Sequence, residues 1–393
     1  MPYKFELDYL PGGFTLESGT AGSSINVCTL EFLTFDDGAL FIERLEKTWS
    51  IFAGKIKTKS RIDVSKIGNF LAIINPNKRG IIYINELQMY YKARVKGKAK
   101  KGIEVFEDDL ADILRLDVKY KTDTIVFPEN SAVVFLFSLG WRKALFYDYT
   151  PLIKRDNKMQ KRDIDLNLLW GQYLAYIMKH QIFNLSESEW SEMFEQGWFP
   201  FTSLKTKTIG AMISLLRENK PIDMMLKDIA KEVTDNLDSM LDRWKSNKVL
   251  DNQLKFIERA RERFENDDYL SAGSIIYPRI EGIIRMTDSN IKTDRKKTKK
   301  QKVLARLVKE RAVYKNEYSM LLPNKYYEYI SQYYFKTFKS LPSSDSDLLN
   351  RNLLAHGIAG FNQFNLKACI LAFLIIDQLS YILYSTGESN ING

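Results

Sequence analysis

The chain has 393 residues, and 58 Lys+Arg against 49 Asp+Glu give it a formal net charge of +9. Apolar residues make up 45% and charged residues 27%, a balance typical of a folded protein of two or three domains rather than of a disordered chain. Two cysteines argue against a disulfide framework or a cysteine metal site, and no secretory signal or membrane-spanning run is evident. We therefore expect a cytoplasmic protein.

The first 150 residues are dominated by strand patterns. Runs rich in β-branched and aromatic residues, separated by Gly, Pro, Asn and Asp, predict strands at 27–35, 70–76, 80–87, 123–129, 132–141 and 143–149. The last two runs are expected to form a hairpin around Gly140. One helix is predicted at 106–116, where apolar residues recur at helical spacing. Residues 1–153 are thus interpreted as a β-rich sensor or targeting domain, to which a regulatory ligand or protein would bind.

Helical patterns prevail in the rest of the chain. Apolar residues recur every three or four positions in 164–183, 208–219, 223–244, 249–264 and 269–286. The polar stretch 154–163 lacks such spacing and is the predicted boundary. We expect an α+β fold in which the β-rich domain precedes a helical connecting region, 154–248, and a helical domain, 249–393.

A tyrosine-rich stretch, "KYYEYISQYYFKTFKS" (325–340), places several aromatic residues on one helical stripe. Tyr326, Ile330, Tyr333 and Tyr334 belong to this stripe, and Phe338 continues it. The favoured interpretation is a bulky helix core. The alternative is that some rings stack on unpaired nucleic-acid bases.

The positive charge is concentrated in "IKTDRKKTKKQK" (291–302). Such a cluster favours a polyanionic partner, and RNA phosphates are the predicted one. The candidate RNA-binding residues are Lys292, Arg295, Lys296, Lys297, Lys299, Lys300 and Lys302. The alternative is a solvated loop without a partner.

The segment "LLNRNLLAHG" (348–357) contains Arg351, Asn352 and one of the two histidines, His356. The preceding serines and aspartates predict a short helix from about 345 to 356, with Ser344 or Asp345 as its N-cap and Gly357 just beyond its end. A long buried helix is expected at 363–384.

These residue types suit RNA cleavage without a metal. Histidine shuttles protons near neutral pH, an arginine fork binds phosphate oxygens, and Asn352 would position the phosphate or orient the imidazole. His356 lies five positions after Arg351, which corresponds to about 140° around an ideal helix. The two side chains therefore converge only if the helix end turns the imidazole back or if a second copy of the chain completes the site. No ligand spacing indicates a metal, and no motif indicates a cofactor.

With its helical context, this arrangement resembles the HEPN family, whose signature is Arg, often a polar residue, a few variable positions and His. The resemblance covers about 250–385 and implies a helical bundle with metal-independent endoribonuclease activity at a homodimer interface. It also implies toxin-type or antiviral defence systems as the setting. Many HEPN proteins are inactive and only bind RNA, nucleotides or proteins.

Glu281, an acid within an apolar stretch, has two candidate partners. It is expected to pair with Arg285, four residues later, or to reach Arg351 and orient it. Arg351 has an alternative partner in Asp347, and His356 has an alternative role as a simple helix cap.

Three functions remain open from the sequence. The favoured hypothesis is an endoribonuclease controlled by its N-terminal domain, with Arg351, His356 and Asn352 as catalytic residues and Glu281 as support. The others are a catalytically inactive RNA- or nucleotide-binding protein and a protein-interaction scaffold.

Overall fold

The computed structural model describes residues 2–56, 66–247, 250–289, 318–336 and 348–384. The chain divides into two compact units, 1–92 with 113–178, and 93–112 with 179–393. Strands dominate the N-terminal region and helices follow, which confirms the predicted α+β class at this level. The two units do not coincide with the segments 1–153, 154–248 and 249–393 expected from the sequence.

The first unit is built on a six-stranded antiparallel sheet with the order β1-β6-β5-β10-β11-β4. The central strands are apolar and buried on both faces, as their uninterrupted β-branched and aromatic runs predict. The expected hairpin is confirmed, because Leu139 pairs with Arg142 around Gly140. The strands are β1 (Tyr3–Glu6), β4 (Leu30–Thr34), β5 (Phe70–Ile74), β6 (Arg79–Ile84), β10 (Ala132–Leu139) and β11 (Arg142–Asp148).

Smaller sheets accompany it. A three-stranded sheet has the order β7-β8-β9, and two-stranded pairs are formed by β2 with β3 and by β12 with β13. These strands are β2 (Phe14–Thr15), β3 (Val27–Cys28), β7 (Leu87–Val95), β8 (Leu110–Tyr120), β9 (Asp123–Thr124), β12 (Lys154–Arg155) and β13 (Lys158–Met159).

Among its described residues, the first unit also contains two α-helices. The strand-dominated interpretation missed α1 (Ala39–Phe52), which buries Trp49 and Phe52 in the core of the sheet. α2 (Leu166–Met178) packs on the sheet through Trp170 and Tyr173, whose ring stacks on Phe32 at 3.7 Å between centroids. The first helix after the polar stretch thus belongs to the β-rich unit.

The predicted helix at 106–116 is wrong. Only Glu107–Asp109 forms a single 3-10 turn, and β8 begins at Leu110. From Leu114 to Tyr120, apolar or aromatic residues alternate with charged residues, which is the pattern of a strand. This period-two pattern outweighs the helical spacing of the preceding residues. Asp112 on this strand is buried and accepts hydrogen bonds from Ser319 Oγ at 2.8 Å and from the Met320 amide at 3.0 Å.

Where the structure describes the second unit, strands occur only in its segment 93–112, and the elements from 179 onward are helical. The helical patterns predicted at 208–219, 223–244, 249–264 and 269–286 are confirmed as α5 to α8. The helices are α3 (His180–Phe183), α4 (Glu187–Glu195), α5 (Thr206–Arg217), α6 (Leu226–Lys245), α7 (Leu254–Glu265), α8 (Tyr269–Ser289), α9 (Pro323–Tyr329), α10 (Arg351–Ala355) and α11 (Leu366–Tyr384).

One hydrophobic core joins these helices. It contains Ala111 and residues from Ile182 to Ile382, including residues of α4 to α9 and of α11, so the expected connecting region and terminal domain share their packing. Helix α8 contacts α7, α10 and α11. In the described ranges, no helix combines the length and apolar character needed to cross a membrane.

The tyrosine-rich stretch forms α9 and then a π-helical turn, Ile330–Tyr334. Tyr326, Tyr329 and Tyr334 are completely buried, and the Tyr326 and Tyr329 hydroxyls donate to the carbonyls of Ile375 and Gly197. The helix-core interpretation is confirmed for these rings, and base stacking by them is excluded. Phe338 lies outside the described residues.

Candidate active site around Arg351

Helix α10, which contains the Arg–Asn–His segment, is shorter than expected. Residues 348–350 are not helical, and the helix begins at Arg351. The N-cap is Asn350, whose side-chain oxygen accepts from the amides of Asn352 and Leu353 at 3.0 Å each. The predicted helix from about 345 to 356 is therefore wrong, because the helix begins at Arg351 and its N-cap is Asn350. The expected N-caps, Ser344 and Asp345, lie outside the described ranges.

The other end of α10 is a Schellman motif. Gly357 has a φ of +67°, its amide donates to Leu354 O, and the amide of Ile358 donates to Leu353 O. His356 is the C-cap and is exposed. Five helical residues are too few to persist alone, so both caps and the contact with α8 are needed to hold α10 in place.

Arg351 is held by Glu281 of α8. Its Nε donates to Glu281 Oε2 at 2.6 Å, and its Nη1 donates to Asn352 Oδ1 at 3.0 Å. The Nη2 group has no hydrogen-bond partner among the described residues, and the side chain is 25% exposed. The structure thus brings Arg351 and Glu281 together, as one of the two sequence hypotheses for Glu281 expected.

Glu281 also pairs with Arg285, so both of its candidate partners are engaged. Burial raises the pKa of Glu281, but hydrogen bonds from Arg351 and Arg285 together lower it by a larger amount. The pKa of Glu281 therefore lies below its ordinary value. One carboxylate between two guanidinium groups leaves a local excess of one positive charge. An anion such as phosphate is therefore attracted to this place even though Arg351 is already paired.

The position of Glu281 depends on Tyr334, a residue that the sequence did not single out for the site. The Tyr334 hydroxyl donates to the carbonyl of Tyr277 at 2.7 Å and accepts from the amide of Glu281 at 3.2 Å. In a regular helix this carbonyl and this amide would bond to each other. The tyrosine hydroxyl therefore contacts both backbone groups of one turn of α8, beside Pro278, which has no N–H for the preceding turn. That proline was the available sequence signal.

Asn352 has a structural role in the described part of the chain. It is 5% exposed, its side-chain oxygen accepts from Arg351, and its side-chain nitrogen donates to the carbonyl of Lys336 at 2.8 Å. The expectation that Asn352 touches phosphate or imidazole conflicts with this burial, because the amide is occupied by protein partners. Its contribution to Arg351 is to hold one edge of the guanidinium.

His356 and Arg351 lie at opposite ends of α10. In a helix the five intervening steps correspond to about 7.5 Å along the axis and about 140° around it. Arg351 is directed to α8 by Glu281, whereas His356 caps an exposed turn. One copy of the helix therefore presents the two groups on different sides.

Several predicted residues lie outside the described ranges. They include Asp347, the alternative partner of Arg351, and the whole basic cluster of Lys292, Arg295, Lys296, Lys297, Lys299, Lys300 and Lys302. Within the described residues, no group of three or more His, Cys, Asp or Glu side chains is arranged to hold a metal ion.

Comparisons of the chain with protein-family models, with curated proteins and with solved structures found no match.

Proposed function

We propose that this chain is a metal-independent endoribonuclease of the HEPN type, with Arg351 and His356 as its catalytic residues and RNA as its substrate. The observation that supports this best is the Arg351 guanidinium, which is fixed by Glu281 and Asn352, retains one nitrogen for a ligand, and begins a helix that ends at an exposed histidine.

The fixed guanidinium suits phosphate binding. Two of its three nitrogens are held by protein groups, so little side-chain entropy is lost when the third donates to a non-bridging phosphate oxygen. The second arginine, Arg285, keeps the local charge positive despite Glu281. Charge that develops on the phosphorane in the transition state would be stabilised in the same way.

The separation within α10 favours a site composed of two copies. Arg351 of one copy and His356 of another can approach the same phosphodiester when two α10 helices face each other, whereas one α10 presents the two groups on different sides. This homodimer is part of the proposal, and the β-rich unit is its proposed regulatory part.

The reaction is a transesterification followed by release. An imidazole removes the proton of the ribose 2′-hydroxyl, whose oxygen attacks the adjacent phosphorus. The bond between phosphorus and the 5′ oxygen breaks, and that oxygen takes a proton from an imidazolium. The products are a 2′,3′-cyclic phosphate and a 5′-hydroxyl end, and the arginine holds the phosphate oxygens throughout.

The test is cleavage of mixed RNA by the full chain in EDTA, with analysis of the new ends. His356→Ala is expected to lower the rate by about 100-fold or more, because positioned acid–base catalysis contributes about 10²–10⁴-fold. Arg351→Ala is expected to have a comparable effect. Arg259→Ala, which removes an exposed guanidinium from α7, is the matched control and should leave the rate unchanged.

Mixing the two inactive variants tests the composite site. A mixed dimer of His356→Ala and Arg351→Ala has one intact Arg–His pair, so a mixture should regain up to about a quarter of the wild-type rate if the pair forms between subunits. Cleavage that survives both substitutions, or ends other than a cyclic phosphate, would refute the endoribonuclease proposal.

A second candidate is an RNA-binding protein without catalysis. The engagement of Arg351 with Glu281 and Asn352 favours it, because a guanidinium in such a network also serves a purely structural role. Salt-sensitive RNA binding by the folded wild-type chain, with no cleavage in EDTA, would support this candidate instead.

A further inference from the structure

A cavity of about 410 Å³ in the second unit lies away from the Arg351 site. It is bordered by the segment 94–98, by the C-terminal half of α6 and by the end of α11. This volume lies within the range of small-molecule sites, about 300–1,000 Å³.

The charge at this cavity is strongly positive. Arg94, Lys96, Lys98 and Arg243 border it, against Asp242 as the one acid among the described residues that line it. Lys98 lies 3.6 Å from Asp242, and both are exposed at the rim, so this pair contributes little. The inner charges are those of Arg94, Lys96 and Arg243.

Two of these three cations, Arg94 and Lys96, retain hydrogen-bonding capacity. Arg94 uses Nη1 to donate to the carbonyl of Tyr381 at 3.1 Å, and Lys96 donates to the carbonyl of Leu204 at 3.2 Å. Arg94 Nε and Nη2 have no hydrogen-bond partner among the described residues. Arg243 differs, because it forms an ion pair with the buried Asp377.

Two polar atoms of the lining residues are buried without a hydrogen-bond partner in the described part of the chain. They are Arg243 Nε and the hydroxyl of Tyr381, and the Arg243 guanidinium lies 4.6 Å from the Tyr381 ring centroid. Tyr381 is 2% exposed. Because both atoms are buried, neither is exposed to the cavity, and the groups left to bind a ligand are the side chains of Arg94 and Lys96. Asp377 Oδ2, behind Arg243, is also unpartnered within the described ranges.

The rest of the lining suits an organic group rather than a bare anion. Ser239 and Ser246 offer hydroxyls, and Val95 and the aliphatic parts of the lysines provide apolar surface. A cavity of this size holds more than one phosphate ion. Hydroxyls beside cations are the groups that bind a phosphorylated sugar.

We propose that this cavity binds a small organic phosphate, with Arg94 and Lys96 holding the phosphate group. The site is separate from the Arg351 site and does not depend on the endoribonuclease proposal.

The charge of Lys96 makes the binding pH-dependent. Burial lowers the pKa of Lys96 to about 8, with a further decrease from Lys179, while Asp108, Asp377 and Glu232 raise it. Below that pH the ammonium is charged and attracts the phosphate. Above it the amine is neutral, so affinity is expected to fall between about pH 7 and pH 9.5, where the phosphate of a monoester remains a dianion.

The experiment is calorimetric titration of the full chain with adenosine 5′-monophosphate and with ribose 5-phosphate. Lys96→Met should weaken binding by about 10–100-fold at pH 7, the value of one charge-assisted hydrogen bond, and should abolish the pH dependence. Arg94→Gln should weaken binding to a similar extent. Lys231→Met, on the exposed part of α6, is the control and should bind like the wild type.

Each other outcome counts against the proposal. It is overturned if neither phosphate binds at about 1 mM, if adenosine or citrate binds as tightly, or if Arg351→Ala abolishes binding while Lys96→Met does not. Circular dichroism checks the fold of each variant. Lys96→Met removes a poorly solvated charge and is expected to fold. If the Lys96→Met variant does not fold, binding by Arg94→Gln decides the test.

Discussion

At the residue scale, the site depends on one carboxylate shared by two arginines. Glu281 was expected to reach either Arg285 or Arg351, and it binds both. The sequence showed that Glu281 is an acid within an apolar stretch, and the four-residue spacing indicated Arg285 as its partner. It gave Arg351, 70 residues away, only as an alternative partner, because that contact depends on how α8 and α10 pack. For the same reason the burial of Asn352 could not be predicted.

Glu281→Gln tests the role of this carboxylate. It removes the charge that orients Arg351, and we expect RNA cleavage to fall by about 10–100-fold, because small misplacements at an active site have effects of this size. Glu258→Gln, at an exposed ion pair on α7, is the control. Unchanged cleavage in Glu281→Gln would show that Arg351 does not need this partner.

The same variant has a predicted pH signature in stability. The folded-state pKa of Glu281 lies below its ordinary value of 4.5, so the carboxylate stabilises the fold above that pH, and the contribution is lost as pH falls through the folded-state value. The free energy of unfolding should therefore differ between wild type and variant by about 1–2 kcal/mol at pH 7 and by less at acidic pH. Urea denaturation across this range measures the difference.

At the element scale, the strongest sequence patterns were the most reliable. The amphipathic repeats of α5 to α8 and the apolar runs of β5, β10 and β11 were predicted because each pattern extends over several turns or pairs. The stretch around Leu110 was misjudged, because four apolar residues at helical spacing preceded a clear alternation. Helix α1 was missed because its apolar residues are interspersed with Thr48 and charged residues among strand-like neighbours.

Tyr334 links two elements, and its hydroxyl can be removed selectively. Tyr334→Phe leaves the ring in the core but removes the bridge between the Tyr277 carbonyl and the Glu281 amide. We expect thermal or urea denaturation to show a loss of about 1–2 kcal/mol, since the two buried hydrogen bonds of the hydroxyl are removed. RNA cleavage should fall less than in Glu281→Gln. Tyr9→Phe, with an exposed hydroxyl, is the control.

A stability equal to that of the wild type would mean that the two hydrogen bonds of the Tyr334 hydroxyl do not contribute to the stability of the fold. Retained cleavage together with lower stability would mean that the tyrosine supports the fold but does not position Glu281.

At the scale of the whole molecule, charge distribution rather than fold determines the predicted interaction with RNA. The α+β class followed from the order of strand and helix patterns, whereas the membership of α2 in the β-rich unit and the common helical core did not. Those features depend on packing between distant segments, and a single sequence gives no measure of such packing.

The basic cluster 291–302 is predicted to contribute most of the salt-dependent RNA affinity. Replacement of Lys296, Lys297 and Lys299 by glutamine should reduce the slope of log affinity against log salt concentration by about 0.7 for each RNA phosphate that the variant no longer neutralises. The matched control replaces Lys227, Lys231 and Lys255, which are exposed on α6 and α7. Filter binding at several salt concentrations measures both slopes. Equal slopes in the two triple variants would contradict a local RNA-binding role.

The π-helical turn at Ile330–Tyr334 also bears on how the chain tolerates changes in length. Such a turn holds one residue more than an α-helical turn, so the surplus residue is absorbed locally. Deletion of one residue within the turn would convert it into a regular α-helical turn that continues α9. The same deletion within α11 would rotate all later side chains by about 100° and take the carboxylate of Asp377 away from Arg243.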